Sequence, residues 1–545
     1  MNNADFASIA RKLLVATVIA NASVIGFWPG AAQAQICEPL AAKAGDAMPS
    51  SCEPPEPWPP SPPPPTSPGN LSGAFIYLGY GATSESLTLS QIPAFFDEMQ
   101  DLNHDTLITT QTRVKRNGQG CAYTPTGFEW VKGLPSKLGT ILNAAQARGM
   151  RVYVGTTMTS HECPTFWGLD NTRSIVDDIH ANLAVVARQY GSHPAFAGWY
   201  IPDEAGTLGS EKYDYYRRIT AALKALTPGK PVAIAPYNFN QQPPNRIGQV
   251  AVQFRNATGV DIQIWQDSIG AAPEAKLFHW SRPGHTSEQY YQALASALGP
   301  NGLWADVELF NYGRPLFNST PNGLTGGYRS TSASRLNQQL WSARSAGKRV
   351  SWLHQWHTSE VIGPANAYVE APQLQAAYRA MYGIGGARFL TPPNHANYTW
   401  ISSPSANYPD GTGYELFDRR TGDPRNPTDP AWVGIDGVVG TARVRIDLGS
   451  LKTVDWLGVH ALTYPAWGIR GPTTLDLYCG STASALTRIA TVNAPFTQAN
   501  LSSVTEEEYV LGNRAPLRKS CRFVELRIPT NGNWVFISEI ELTSD

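Results

Sequence analysis

The chain is poor in the residues that metal and nucleic-acid chemistry would require. Only ten histidines occur in 545 residues and none forms a His-x-His pair, so there is little from which to assemble a metal cluster. The six cysteines include no Cys-x-x-Cys pair, which removes support for a thiolate zinc site. Formal net charge is −1, so nothing suggests electrostatic capture of nucleic acid or of an anionic membrane. Past the N-terminal region no stretch is apolar enough to span a bilayer. A dinucleotide fold would show a Gly-rich phosphate turn after its first strand, and Gly79-Tyr80-Gly81-Ala82 is a poor match. No internal repeat array is present.

What the chain does have begins with an export signature. Arg11 and Lys12 precede an apolar stretch, Leu13 to Trp28, followed by Ala32-Gln33-Ala34. Residues 1–34 are therefore expected to be a signal peptide, leaving a secreted or periplasmic protein with no membrane attachment after cleavage. An uncleaved anchor is the alternative. Residues 35–70 form a linker in which ten of the fifteen residues from Pro54 to Pro68 are proline; such a run adopts extended polyproline II. The cysteines fall into three local groups, Cys37 with Cys52, Cys121 with Cys163, and Cys479 with Cys521. An oxidising destination suits disulfides, and we expect Cys121–Cys163 and Cys479–Cys521, since each would stay within one structural unit.

From residue 71 to 385, short β-type runs alternate with helical patterns. The runs are Ala74–Tyr80, Thr106–Thr112, Val152–Thr157, Phe196–Ile201, Val232–Tyr237, Val260–Trp265, Leu303–Phe310 and Val350–Trp356. Between them, sets such as Ile92, Phe95, Phe96, Met99 and Leu102, or Ile175, Val176, Ile179, Leu183 and Val186, recur at helical spacing. Eight strands, each separated from the next by a helix-sized segment, predict a (β/α)8 TIM barrel. From 390 to 545 the helical period gives way to short strands between Gly, Pro, Asn and Asp turns, which predicts an all-β sandwich.

Catalytic groups of a (β/α)8 barrel sit at the C-terminal ends of its strands. The fourth run ends in Asp203-Glu204, whose side chains point different ways, so one can face the mouth while the other makes a structural contact. Capping of the next helix is the bland reading. On the seventh run Trp304, Asp306, Glu308 and Phe310 share the parity that faces the barrel interior. Two inward carboxylates are costly to bury without a function or partners; Arg314 or Lys348 could supply a plain salt bridge instead. The sixth run ends Trp265-Gln266-Asp267, and the eighth carries Trp352, His354 and Trp356. Aromatic faces beside amides, carboxylates and imidazole suit pyranose rings. With Tyr77, Tyr200 and Tyr237 these form the expected substrate-binding set. His354 alone is more often a satisfied core histidine, and we give it no chemical role.

Gly198-Trp-Tyr-Ile-Pro-Asp-Glu204, Trp265-Gln-Asp-Ser268 and Trp304-Ala-Asp-Val-Glu-Leu-Phe310 resemble the motifs of a poorly characterised family of bacterial barrel proteins that look like glycoside hydrolases. A Glu after strand four and a Glu on strand seven is also the layout of the large clan of retaining (β/α)8 glycosidases. Where that clan carries Asn before the acid, this chain has Asp203. The resemblance implies hydrolysis of a polysaccharide or glycan, with Glu204 as general acid/base and Glu308 as nucleophile. The C-terminal part resembles discoidin-type (coagulation factor type C) jelly-roll sandwiches, through Trp432-Val-Gly-Ile-Asp-Gly437, Arg445-Ile-Asp-Leu-Gly449, Gly468-Ile-Arg-Gly-Pro472 and Phe536-Ile-Ser-Glu-Ile-Glu-Leu542. That implies sugar binding through Tyr464, Trp467 and Arg470, unless the sandwich merely packs on the barrel. Some relatives hold a structural Ca2+ ion; no acidic cluster here marks such a site, and no other cofactor is implied. A binding protein without catalysis and a polysaccharide deacetylase remain the rival functions.

Overall fold

The computed structural model describes residues 69–76, 88–115, 128–130, 134–157, 169–203, 208–237, 242–270, 286–312, 328–351, 371–424, 426–494 and 507–545. Tyr77, Cys121, Cys163, Glu204, Trp352, His354 and Trp356 lie outside them, as do the expected signal peptide and proline-rich linker.

The first half is the predicted barrel. Strands β1 (Gly73–Ile76), β2 (Thr106–Thr109), β3 (Arg151–Gly155), β4 (Phe196–Ile201), β5 (Val232–Ile234), β6 (Ile262–Gln266), β7 (Leu303–Val307) and β8 (Lys348–Ser351) pair in parallel, and β8 pairs back with β1 to close the sheet. Helices α1 (Ile92–Asp101), α2 (Leu134–Ala147), α3 (Leu169–Tyr190), α4 (Tyr213–Leu226), α5 (Pro244–Thr258), α6 (Ser287–Leu298), α7 (Ala333–Ser342) and α8 (Ala371–Tyr382) alternate with them. The expected helical stripes are the buried ones: Ile92, Phe95, Phe96 and Met99 on α1, and Val176, Ile179, Leu183 and Val186 on α3. Each of the eight runs contributes a strand to the barrel within its described residues. On β7 the ladder stops at Val307, and Phe310–Tyr312 turns into an antiparallel ribbon with Tyr328–Ser330.

Strand alternation sorts the barrel into two layers. Val152, Val154, Val232, Ile234, Leu303 and Ala305 pack outward under the helices. Phe75, Ile108, Tyr153, Tyr200, Ala233, Ile264 and Trp304 fill the interior, where Tyr153 meets Trp304 and Phe75 meets Tyr200 edge-on with ring centroids 5.2 Å apart in each pair. Lys348 does not pair with Asp306 or Glu308: its ammonium donates to Asp105 and, at 2.8 Å, to the Thr106 hydroxyl, at the opposite end of the barrel.

The second half is two facing antiparallel sheets around their own core. One has the order β9 (Arg388–Phe389), β18 (Val535–Ser544), β13 (Trp456–Thr463), β16 (Glu507–Gly512), with β11 (Val433–Ile435) also on β18. The other runs β10 (Tyr398–Trp400), β12 (Thr441–Val454), β17 (Lys519–Pro529), β14 (Thr474–Gly480), β15 (Thr487–Asn493). The Cys479–Cys521 disulfide joins β14 and β17 with a Cα separation of 5.4 Å, as the local pairing predicted.

The sandwich lies against α7 and α8. Glu541 on β18 accepts hydrogen bonds from the Ser334 amide and hydroxyl of α7, at 2.9 and 3.0 Å, and from Gln373 Nε2 of α8, at 2.9 Å. Close approach is built in at Gly458 on β13, where a Cβ would sit 2.5 Å from Gln373 Nε2.

The disulfide closes a segment with a sequence separation of 42, and a cross-link of that span stabilises by about 4 kcal/mol through the unfolded chain. The Cys479→Ala/Cys521→Ala pair should lower unfolding free energy by about 3–4 kcal/mol in denaturant titration, with the loss in the sandwich transition; an unchanged midpoint would contradict a stabilising role.

Candidate functional site

The described chemistry at the C-terminal end of the barrel gathers where β6 and β7 end. After β6 the chain turns sharply through Ser268, which adopts φ 56°, a left-handed conformation costly for a non-glycine residue. Asp267 holds that turn: its Oδ1 accepts from the Ile269 amide at 3.2 Å and the Glu308 amide at 3.4 Å, and its Oδ2 from Gln339 Nε2 of α7 at 2.7 Å. The Asp267 amide donates in turn to the Asp306 carbonyl at 3.0 Å. The turn delivers the Gly270 amide to Glu308, donating to Oε2 at 2.7 Å. Glycine is required here for space, because a Cβ would meet the Phe310 carbonyl oxygen at 2.4 Å.

Glu308 is 2% exposed, and its side chain is fixed by that backbone donor. Its main chain is held as firmly. Its carbonyl accepts from Arg335 Nη2 at 3.3 Å and Gln339 Nε2 at 3.1 Å, and Arg335 also donates to the Phe310 carbonyl. Asp306, one step inward on the same face, is fully buried. Burial pushes the Asp267 carboxyl up to about 6, against the opposing pull of the Gln339, Ile269 and Glu308 donors and the Arg335 charge.

At the end of β4, Asp203 makes a structural contact. Asp203 is fully buried, accepts from the Tyr215 hydroxyl on Oδ2, and offers its carbonyl to the Tyr216 hydroxyl at 2.6 Å. It anchors the strand end to α4. Glu204 follows it, outside the described residues.

Other expected site residues fare differently. Trp265 does not face the mouth. It packs in the strand–helix layer, with its indole N–H donating to Gln263 Oε1 at 3.1 Å and its carbonyl accepting from the Tyr291 hydroxyl of α6 at 3.0 Å. Asp267, expected to bind substrate, is occupied by protein donors. Tyr200 fills the interior against Phe75. Gln266 has the inward parity of Ile262 and Ile264, and its amide nitrogen is buried without a hydrogen bond among the described residues. Tyr237, just past β5, is partly exposed.

The sequence reading missed two groups. Arg335 and Gln339 come from a helix, not a strand end, and only tertiary packing brings them to Glu308. The second is the polar run after β2 and β3. The Gln111 amide and the hydroxyls of Thr112, Thr156 and Thr157 are fully buried yet make no hydrogen bond among the described residues. Buried polar groups normally have partners, and a polar tail directly after the apolar Leu107-Ile108 was the available signal.

In the sandwich, Tyr464, Trp467 and Arg470 share one tight loop. The two rings are tilted with centroids 5.9 Å apart, and the Arg470 amide donates to the Trp534 carbonyl at 2.9 Å. Beneath them lie Trp432, Leu462, Ile469 and Phe536. Among the described residues, no three or more His, Cys, Asp or Glu side chains converge as metal ligands.

Among known families, the model described as a domain of unknown function, DUF4434, matches residues 71–359. No curated protein matches the chain. Solved structures that resemble it include a provisionally assigned alpha-L-fucosidase from Bacteroides thetaiotaomicron VPI-5482, at 18% identity over 58% of this chain and 94% of that one, TM-score 0.43. Another is a family 5 glycoside hydrolase from Bacteroides vulgatus ATCC 8482, at 10% identity over 84% and 89%, TM-score 0.37. A third is a Ruminococcus gnavus GH29 fucosidase in complex with fucose, at 11% identity over 86% and 92%, TM-score 0.29. Likeness at this level carries no chemistry across.

In the folded protein Asp267 keeps its proton to higher pH than in the unfolded chain, where its ordinary value is 3.8. The folded state is favoured by this group below pH 3.8, and the advantage is lost as pH rises through about 6. The stability difference in urea between wild type and Asp267→Asn should therefore shift against wild type as pH rises across that window. Identical slopes would show that Asp267 does not titrate there.

Proposed function

The chain belongs to the DUF4434 family, whose description assigns no activity, and from the site itself we propose that it is a glycoside hydrolase of the retaining type, acting on a polysaccharide or glycan. The observation that carries the reading is Glu308: a buried carboxylate at the C-terminal end of β7, supported by the Gly270 amide and held through its main chain by Arg335 and Gln339. A nucleophile for an anomeric carbon must stay charged and fixed in place. A backbone N–H donor, which does not titrate, serves both needs.

In the proposed reaction Glu308 attacks the anomeric carbon while Glu204 gives its proton to the departing glycosidic oxygen. A glycosyl ester forms on Glu308 as the C–O bond to the leaving group breaks. Glu204, now ionised, takes a proton from water, which displaces Glu308 and restores both groups. This requires the two carboxyl groups about 5–5.5 Å apart. Asp203 supports the assignment from the β4 side, because Tyr215 and Tyr216 fix the residue that Glu204 follows. The unpartnered Gln111 amide, Thr112, Thr156 and Thr157 hydroxyls and Gln266 amide nitrogen suit a ligand rich in hydroxyl groups. Asp306, Tyr237, Tyr77, Trp352, His354 and Trp356 are proposed to complete the sugar contacts. Export by the N-terminal signal would place the reaction outside the cytoplasm.

Reducing-end release from a polysaccharide panel tests the reading. Glu308→Gln should abolish turnover with an unchanged melting curve. Glu204→Gln should lose most on substrates with poor leaving groups, which depend on protonation. Full activity in Glu308→Gln would remove Glu308 as nucleophile.

For the sandwich we propose glycan binding through Tyr464, Trp467 and Arg470, on the discoidin-type resemblance and their shared loop. Trp467→Ala should weaken binding to the substrate polysaccharide about tenfold, the scale of one lost aromatic contact, in affinity electrophoresis of the full chain. Equal retardation of variant and parent would end that role.

A further inference from the structure

We infer that Glu541 of the C-terminal sandwich is a positioning residue for the barrel's reactive carboxylate, making the sandwich part of the catalytic unit. The inference rests on Glu308 being the reacting group, and its structural half stands independently of that.

The path is short. Helix α7 starts at Ser332, whose hydroxyl caps the Arg335 amide at 3.1 Å. Another donor of that first turn, the buried Ser334 amide, would lack a partner within its own helix. Its partner comes from the other domain. Glu541 Oε1 takes both the Ser334 amide and hydroxyl, while its Oε2 takes Gln373 of α8. The carboxylate thus pins the start of α7 to α8 and lies where the helix dipole favours negative charge. One residue further along α7, Arg335 turns inward to the Glu308 and Phe310 carbonyls. One turn later Gln339 reaches the Asp267 carboxylate and the Glu308 carbonyl, and Arg335 Nε braces Gln339 Oε1 at 3.3 Å. Asp267 shapes the turn that delivers the Gly270 amide to Glu308. The seating of α7 therefore sets the carboxylate, and Glu541 seats α7.

Burying a carboxylate at a junction between domains is costly unless its oxygens are satisfied. Here they take three donors, which an apolar residue could not do. Gln373 keeps one amide atom, Oε1, buried and unbonded. The amide of Glu541→Gln could therefore still accept from Ser334 and donate to a turned-over Gln373.

The test uses the full chain in four forms: wild type, Glu541→Ala, Glu541→Gln, and Val444→Ala, which loosens the sandwich core without touching the junction. Hydrogen exchange is read on peptides covering 267–270 and 306–310, and kcat and KM on the substrate found by the polysaccharide screen. In Glu541→Ala, exchange at these peptides should accelerate about tenfold, the factor one lost buried hydrogen bond is worth, and kcat should fall about tenfold with KM unchanged. Glu541→Gln should restore both, and Val444→Ala should change neither. Wild-type exchange in Glu541→Ala, equal acceleration in Val444→Ala, or failure of Glu541→Gln to restore would overturn the inference. Absence of turnover in wild type would count against the glycosidase reading, and the exchange result would still decide the positioning role.

Discussion

A carboxylate removed from water must find donors or give up its charge, and at the end of β7 that demand organises everything around it. Glu308 takes its donor from the Gly270 main chain, which can face it only because the β6 turn is bent through Ser268 and tied by Asp267. Asp267 in turn needs Gln339, and Gln339 needs α7 to be seated. The barrel provides two adjacent strand ends, and the helix outside them provides the rigidity. Strain in the Ser268 backbone and an Asp267 carboxyl held up to about 6 are stored where positioning matters.

Much of this was legible in the chain itself. Eight β-type runs separated by helix-sized segments allow few architectures, and the two-residue period of a strand placed Asp306 and Glu308 on the inner face without a structure. The failures have physical causes. Strands of a parallel barrel are buried on both faces and read as continuous apolar runs, so nothing in the run itself told against placing Trp265 with the sugar-binding residues. Its neighbour Gln263, bonded to the Ala251 carbonyl of α5, marks the helix side only once α5 is in place. Arg335 and Gln339 carry no local signal because their targets lie on other elements. On β18, Glu539 and Glu541 alternate with Ile540 and Leu542 and would pass for a solvent-facing pattern. That face is covered by α7 and α8, and burial drives the Glu539 carboxyl well above its ordinary range.

The junction changes how the two halves should be regarded. A module joined only by a linker shares no buried polar contacts with its neighbour, whereas here one carboxylate bonds two barrel helices and a glycine admits one of them. Barrel and sandwich have separate hydrophobic cores and a common polar seam. The polar seam at Glu541 therefore ties β18 of the sandwich to α7 and α8 of the barrel.

The claim that Glu308 is the group that bonds to sugar is tested most directly by trapping. A 2-fluoro glycoside with an activated leaving group, built on the sugar that the polysaccharide screen identifies, should form a stable ester on the enzyme. Peptide mass spectrometry should place that mass on Glu308. An adduct on Asp267, Asp306 or any other carboxylate would contradict the account.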